Sequence, residues 1–558
     1  MEMRQAERGA ANPDFRVLIL RRRLAYANAT QAAGHSVSKP TRNTLMDWND
    51  GYVADVEYLT GFFREQSPAF LNFACVLNGY EPIPLNKPFT YFELGSGQGL
   101  TANLLAASNP RGSFYATDFM PSHVAGARQL AARAGLENLT LLENSFAELA
   151  EGQVADLPQF DFITMYGVYT WVNTENRRHI VNFIARYLKP GGVVFLSYNA
   201  LPGWNAALPL RRLMIEHAER NPNKSSAQVV QARELVEQLV AANAGYFKST
   251  PGVQTCLDSL REDHPAYLAH EYMHRGWEPL YFADVARDLA AAKLDYVGST
   301  NLMMAFPHFY LTPARQALLD AAPDIAMRET ISDYLLNTPL REDVFVRGAR
   351  AMSPLRKTEW LQQVGVALTV PRDTVTLDMK TAAGVPVCKP ELYVPMLDAL
   401  AKKPHTLSEL AVLPDLDGKD VTNLAEVAAM LVMSEQAATY FPAFANVQPD
   451  AAYRMNRALA QQARYDDNYQ VLASPLLGNG VMAGLVQRLV YLSLSGQPNH
   501  MDIDADAIIR DARQIMAAQG LRITPESEPM ESEMAELSKT VKAILERRVP
   551  IWRQLMVL

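Results

Sequence analysis

Glu93-Leu94-Gly95-Ser96-Gly97-Gln98-Gly99-Leu100 is the stretch whose reading decides the fold. It ends an apolar run of strand composition, Thr90-Tyr91-Phe92-Glu93-Leu94, and opens a helical segment. Glycines at such a junction let the chain turn tightly, so that a ligand can press against main-chain N–H groups and a helix N-terminus. A dinucleotide loop, G-x-G-x-x-G, would place its third glycine at position 100. That position is Leu, and the third glycine comes one residue early, at Gly99. Glu93, two residues before the first glycine, would repel a pyrophosphate and suits a cationic ligand.

Outward from the loop, short apolar strands alternate with helical segments over residues 83–200. The strands are Ser113-Phe114-Tyr115-Ala116-Thr117, Leu139-Thr140-Leu141-Leu142, Phe160-Asp161-Phe162-Ile163-Thr164 and Val193-Val194-Phe195-Leu196-Ser197. This alternation predicts a parallel sheet with helices on both faces. Asp118 closes the second strand, where an acid can accept from both hydroxyls of a ribose. Asn144-Ser145-Phe146 follows the third, offering an adenine polar edges and an aromatic face. A cation that also carries a nucleoside fits S-adenosylmethionine, whose amino group and sulfonium are both positive. Residues 205–275 read as helices without an intervening strand, and Leu294-Asp295-Tyr296-Val297 reads as a sixth strand, so the helical block is an insertion in the α/β domain.

Composition sets the outer bounds. The chain has 558 residues, 52 Lys+Arg against 60 Asp+Glu, a net charge of −8, and 49% hydrophobic residues. That length predicts three to four domains, and the balance excludes a mostly disordered chain and argues against a dedicated nucleic-acid binder. Cys75, Cys256 and Cys388 lie far apart, forming neither a disulfide framework nor a Cys-rich zinc site, which fits a reducing cytosol. No apolar stretch is long enough for a transmembrane helix. Arg21-Arg22-Arg23 lies in an Ala-, Asn- and Arg-rich start that reads as a leader with a solvated basic face.

Two further segments lie at the carboxyl ends of strands, where open α/β sheets bind ligands. They are Met165-Tyr166-Gly167-Val168-Tyr169-Thr170-Trp171-Val172 and Ser197-Tyr198-Asn199-Ala200-Leu201-Pro202-Gly203-Trp204. Methyl transfer needs nucleophile and methyl carbon in line at about 3–3.5 Å. An amine acceptor yields a cation that aromatic faces can hold. Tyr166, Tyr169, Trp171, Tyr198 and Trp204 are the expected wall, at least two of them packing the core only, and Asn199 the residue expected to orient the amine.

The E-x-G-x-G-x-G loop, Asp118 and the strand order resemble the class I S-adenosylmethionine-dependent methyltransferases. The two substrate-side segments look like the HGVYSWVP and SYNTxPGW blocks of bacterial methyltransferases with a methyltransferase regulatory domain. That group includes the rickettsial-type protein lysine methyltransferases acting on outer-membrane proteins. Trp48-Asn49-Asp50-Gly51-Tyr52-Val53, Tyr267-Leu268-Ala269-His270-Glu271-Tyr272 and Pro279-Leu280-Tyr281-Phe282 also fit, so the match spans roughly 48–350. Tyr166 stands where His is usual, Thr170 where Ser is and Asn173 where Pro is. The resemblance implies a Rossmann-like α/β fold: a seven-stranded sheet with an antiparallel last strand, a helical insertion and mostly α accessory C-terminal domains. It also implies S-adenosyl-L-methionine as cofactor, bound by Glu93, Gly95, Ser96, Gly97, Gln98, Gly99, Asp118, Asn144, Ser145 and Phe146. The expected catalytic residues are Tyr166, Tyr169, Trp171, Tyr198 and Asn199.

The expected division is a poorly ordered leader (1–42), an N-terminal helical lid (43–82) and the cofactor-binding domain (83–310). There follow a middle helical region with a small hairpin (311–388), a winged-helix-like module (389–445) and a C-terminal helical domain (446–558). The helix expected to read DNA in that module, Val421 to Glu435, has two Glu and no Lys or Arg, so it is read as a protein-contact surface. His270-Glu271-Tyr272-Met273-His274 matches H-E-x-x-H, a zinc-hydrolase signature. With Gly276 close behind and no third ligand in view, no metal is expected. The partner is expected to be a protein offering lysine side chains in the cytoplasm, with no nucleic acid, no stable membrane insertion and a homodimer open to the helical accessory domains. A small-molecule or lipid acceptor and a non-catalytic scaffold are the alternatives.

Overall fold

The computed structural model describes residues 60–378, 388–416, 418–442, 449–496, 504–523 and 530–558. The expected leader and the Trp48–Val53 block lie outside them. Seven strands form the central sheet: β1 (Phe89–Leu94), β2 (Gly112–Thr117), β3 (Leu139–Leu142), β4 (Phe160–Met165), β5 (Leu188–Asn199), β6 (Leu294–Ser299) and β7 (Leu340–Arg347). Their order is β3-β2-β1-β4-β5-β7-β6. β1 to β5 pair in parallel, and β7 runs antiparallel between β5 and β6. The order reverses between β1 and β4, which opens a crevice at the carboxyl ends of those two strands, where such sheets take ligands.

Neighbouring residues on each strand serve opposite cores. Tyr91, Phe114, Phe162 and Phe195 join the helix Pro68–Leu77 on one face, while Phe92, Ile163, Val194 and Phe345 fill the other. Burial on both faces explains why the parallel strands read as continuous apolar runs. β7 breaks that rule, and the sheet therefore extends past residue 310, where the sequence reading ended it. Its first half is Leu340-Arg341-Glu342-Asp343, yet Arg341 and Asp343 are buried. Arg341 bonds to Asp343, Asp333 and Glu329, each at 2.8 Å, so the charges are satisfied inside the protein.

Between β5 and β6 the helices Leu208–Arg220, Ser225–Ala241, Gln254–Glu262 and Pro265–Met273 close around their own core of Leu210, Met214, Val229, Val236, Leu257 and Leu260. Beyond the main sheet, β8 (Gly365–Leu368), β9 (His405–Thr406) and β10 (Ala437–Tyr440) form a second sheet in the order β10-β8-β9. The β8 strand pairs with β10 and β9 rather than with a local partner, and residues 379–387 of the hairpin expected within 366–387 lie outside the described residues. A Cβ at Gly365 would collide with the Tyr440 ring, so glycine lets β10 close onto β8. The helices Pro390–Lys402, Leu407–Ala411 and Val421–Met433 pack on this sheet.

The C-terminal part, expected to be helical, also holds a hairpin: β11 (Val471–Ser474) paired with β12 (Asn479–Met482). Leu537, Val541 and Ile544 of the C-terminal apolar stripe are buried in the core of this region.

Candidate active site

The loop after β1 is built from backbone geometry. Gly95, Gly97 and Gly99 all have positive φ (67°, 53° and 68°). At Gly99 a Cβ would stand 2.5 Å from that of Ala127, so glycine lets the loop lie against the helix Pro121–Ala134. At Gly97 a Cβ would meet nothing within 4 Å: this residue faces open space. Ser96 donates its N–H to the Thr117 carbonyl (2.9 Å), and its own carbonyl accepts from Gly99 N–H (2.9 Å). The Gln98 side chain lies over Gly126. The helix Leu100–Ser108 begins with no side-chain cap; of its first-turn amides Ala102 faces the Glu93 carboxyl, and those before it are left for a ligand.

Asp118 follows β2 and is tied to this loop. Its Oδ2 accepts from Gly97 N–H at 2.8 Å, and its Oδ1 from Met120 N–H at 3.0 Å. His123 Nδ1 lies 3.1 Å from Oδ1. Thr117 Oγ1 donates to the Asn144 carbonyl (3.0 Å), which draws the end of β3 beside that of β2. Asn144 is half-buried, and Phe146 is half-buried against the second core. Ser145 is engaged elsewhere. Its hydroxyl accepts Glu148 N–H at 3.3 Å, while the Glu148 carboxylate accepts Ser145 N–H at 2.8 Å. This reciprocal cap starts the helix Phe146–Glu151 and commits the serine side chain to it.

Glu93 is buried beneath the loop. Burial pushes its carboxyl up to about 8, the Gln66 hydrogen bond pulls it down, and the Asp118 charge raises it further. Gln66 Nε2 donates to Glu93 Oε1 at 3.1 Å. Glu93 Oε2 and Gln66 Oε1 are both buried without a hydrogen-bond partner. Two linked side chains with orphaned acceptors make a site suited to a cation.

Gln66 and its neighbours are candidate site residues that the sequence pattern does not mark. Phe63 stacks on Tyr166 (centroids 3.8 Å apart, 15° between planes) and donates its N–H to Thr101 Oγ1 (3.2 Å). The turn Arg64–Gln66 and the Ser67 cap of the helix Pro68–Leu77 thus lie beside the ends of β1 and β4 and the first turn of the helix that follows the glycine loop. Nothing in the spacing of a lone Gln marks it; only the topology brings it to Glu93.

On the substrate side the expected aromatic wall divides. Tyr198 is buried and donates to Asp343 Oδ2 at 2.7 Å, within the Arg341 network. Tyr169 is buried and donates to Asp288 Oδ2 at 3.2 Å. Both phenols are raised by burial first and by the neighbouring carboxylate second. Tyr198 and Asn199 are consecutive on β5 and so point to opposite faces; they cannot share one pocket wall. Tyr166 sits with Phe63 and Phe195 on the first core's side.

Asn199 belongs to a different group. Thr170 Oγ1 (3.1 Å) and Trp277 Nε1 (3.2 Å) both donate to its Oδ1. An indole N–H can only donate, which identifies the acceptor as the amide oxygen. An acceptor amine would find that oxygen already taken, whereas Nδ2 makes no hydrogen bond within the described residues. Trp204 meets Trp277 edge-on at 4.8 Å, Arg211 lies 4.4 Å above the Trp277 ring, and Trp171 meets the His274 ring edge-on at 5.6 Å. Burial first, and the Arg211 charge second, hold the His274 imidazole down at about 4. Among the described residues, no group of three His, Cys, Asp or Glu is placed to hold a metal ion.

Comparison with known proteins agrees with this geometry. Residues 92–194 match a methyltransferase domain model, and residues 264–347 match a model described as a predicted methyltransferase regulatory domain. A protein of Synechocystis sp., the uncharacterized sll1526, is 35% identical over 495 residues, covering 88% of this chain and 95% of its own. The uncharacterized RP028 of Rickettsia prowazekii is 28% identical over 227 residues, 39% of this chain and 86% of its own. In fold, the chain is similar to PKMT2 from Rickettsia typhi, solved in complex with AdoHcy, with a TM-score of 0.65 at 19% identity, covering 89% of this chain and 99% of that one. The second matched segment contains β6 and β7, so it completes the main sheet, and its Trp277 is what holds Asn199. The chain belongs to the class I, S-adenosylmethionine-dependent methyltransferases that carry the predicted methyltransferase regulatory domain.

Proposed function

We propose that this methyltransferase acts on lysine side chains of proteins. The observation that carries the reading is Asn199 at the carboxyl end of β5, held by Thr170 and Trp277, with two half-buried indoles close by: Trp171 next to Thr170 in the chain, and Trp204 edge-on to Trp277. Aromatic faces favour a methylated ammonium, the product of amine methylation. Asn199, held by its oxygen, keeps two N–H bonds with which to take a main-chain carbonyl of the acceptor chain. The likeness of the Tyr166–Val172 and Ser197–Trp204 segments to protein lysine methyltransferases, and the fold shared with PKMT2 of Rickettsia typhi, support the same acceptor class.

The cofactor side fits S-adenosylmethionine. Its bound form supplies an electrophilic methyl group on sulfur. The orphaned oxygens of Glu93 and Gln66 suit its ammonium, the uncapped first turn of Leu100–Ser108 its carboxylate, Asp118 its ribose, and Asn144 and Phe146 its adenine. The open space over Gly97 gives such a ligand room. The acceptor amine must lose a proton before it can attack, and an apolar, aromatic surround makes that loss easier. We place the reaction in the cytoplasm on the strength of three free cysteines, and no helix among the described residues is long and apolar enough to cross a membrane.

The test is transfer of labelled methyl from S-adenosylmethionine into a cell lysate, followed by gel separation and mass spectrometry. Label in methyl-lysine of a protein band supports the proposal. Label in a lipid or a free metabolite refutes the acceptor class, and base-labile label in glutamate refutes the residue.

A further inference from the structure

We propose that Asn479, on the C-terminal hairpin, is a positioning residue for the cofactor: it holds the turn 64–67 so that Gln66 meets Glu93. The proposal rests on S-adenosylmethionine being the ligand of the Glu93–Gly99 loop. Asn479 is buried, and its Nδ2 donates to the Arg64 carbonyl at 3.0 Å and to Ser67 Oγ at 2.8 Å. These partners flank Gln66 on both sides. A carbonyl oxygen can only accept, so the amide nitrogen is the group facing the turn.

The hairpin is itself fixed to the catalytic domain. The Asn479 carbonyl accepts from Ser108 Oγ at 3.2 Å, and the Gly478 carbonyl from Asn109 Nδ2 at 2.9 Å. Both contacts are at the far end of the helix that begins after the glycine loop. At Gly480 a Cβ would lie 2.6 Å from Val471, 2.9 Å from Leu104 and 2.9 Å from Phe62, so the strand lies directly on the segment leading into the turn. The turn is thus gripped from one side by β12 and from the other by Thr101, Glu93 and Tyr166, which bond or stack with Phe63 and Gln66. Residues 415 positions apart in sequence, Arg64 and Asn479, meet one step from the buried carboxylate of the cofactor site. Freed from Asn479, the turn loses its outer support, and Gln66 loses the fixed geometry in which it donates to Glu93.

The probe is S-adenosylhomocysteine binding to the full chain by calorimetry. Asn479→Asp keeps the shape and removes both donors; Asn479→Ser tests the same contact without a charge against the Arg64 carbonyl, should the first variant fail to fold. Weaker binding by about tenfold is expected for each, from two lost buried hydrogen bonds. A merely structural role would not move two further readouts. The pH midpoint of binding should rise, because Gln66 no longer stabilises the ionised Glu93. In a Gln66→Ala background, changing Asn479 should weaken binding no further. Wild-type affinity and midpoint in a folded Asn479 variant would overturn the proposal, as would independent, multiplying effects of the two substitutions. Failure of the wild-type chain to bind S-adenosylhomocysteine would instead overturn the cofactor reading beneath it.

Discussion

Cofactor affinity should depend on pH through Glu93, and the size of the effect follows from its surroundings. Burial is the chief cause that pushes its carboxyl from 4.5 up to about 8. At pH 7 a group of pKa about 8 is about nine-tenths protonated. A bound ammonium favours the ionised form, so binding must expel that proton. Below pH 7 an α-amino group of pKa about 7.7–8.0 stays charged, so the ligand itself does not titrate strongly there. Affinity should then rise about tenfold per pH unit, or about 30-fold from pH 5.5 to 7, with close to one proton released per ligand. The same shift acts on the ligand-free fold with the opposite sense. A carboxyl with a raised folded pKa loses stability as pH rises from 4.5 towards 8, by an amount that reaches about 5 kcal/mol at most, from about 1.36 kcal/mol per pK unit. The assay is calorimetry of S-adenosylhomocysteine binding in buffers of different ionisation enthalpy, with Glu93→Gln beside wild type. The variant isolates Glu93 from every other titrating group and should give a flatter profile with almost no proton release. Equal pH profiles and equal proton release in the two proteins would refute the argument.

Three substitutions separate the parts of the site. Gly97→Arg should fold, at a cost of about 1–2 kcal/mol for a side chain at positive φ, yet lose S-adenosylhomocysteine binding in calorimetry because the open space above Gly97 is filled. Trp277→Phe keeps a ring under Arg211 but removes the N–H that holds Asn199. It should lower kcat by about 5–10-fold, the worth of one hydrogen bond, with cofactor affinity unchanged. Tyr198→Phe should leave cofactor affinity unchanged while urea unfolding shows a loss of about 1–2 kcal/mol from the missing bond to Asp343.

The first six strands of the main sheet were legible because each is an apolar run, and the glycine loop because its third glycine and Glu93 depart from the dinucleotide pattern. β7 was hidden by its own charges. Pattern reading sends Arg341-Glu342-Asp343 to the surface, and only the three-dimensional pairing of Arg341 with Asp333, Glu329 and Asp343 accounts for the burial of Arg341 and Asp343. β8 misled in another way: its partner, β10, lies some 70 residues on, beyond any local signal. The strands of the 471–482 hairpin are four residues each, too short for alternation to register. At the site, the separation of Tyr198 from Asn199 was open to reading, since adjacent strand residues face apart. The meeting of Gln66 with Glu93 was not, because it depends on a turn, a cap and a distant hairpin.

The place of β7 also limits how this protein can be divided. β5 is bonded to β7 from Val193 to Asn199. A fragment ending near residue 200 would expose that whole edge, Val193-Val194-Phe195-Leu196 included, as an unpaired template for other chains. Such a fragment should aggregate even though it carries the complete glycine loop. The helical insertion, by contrast, packs on a core of its own between β5 and β6. A change in the length of those helices would leave the pairing of the sheet's closing strands untouched. Diversity in what the enzyme recognises is therefore expected to collect in 205–275, and invariance in the segment that follows.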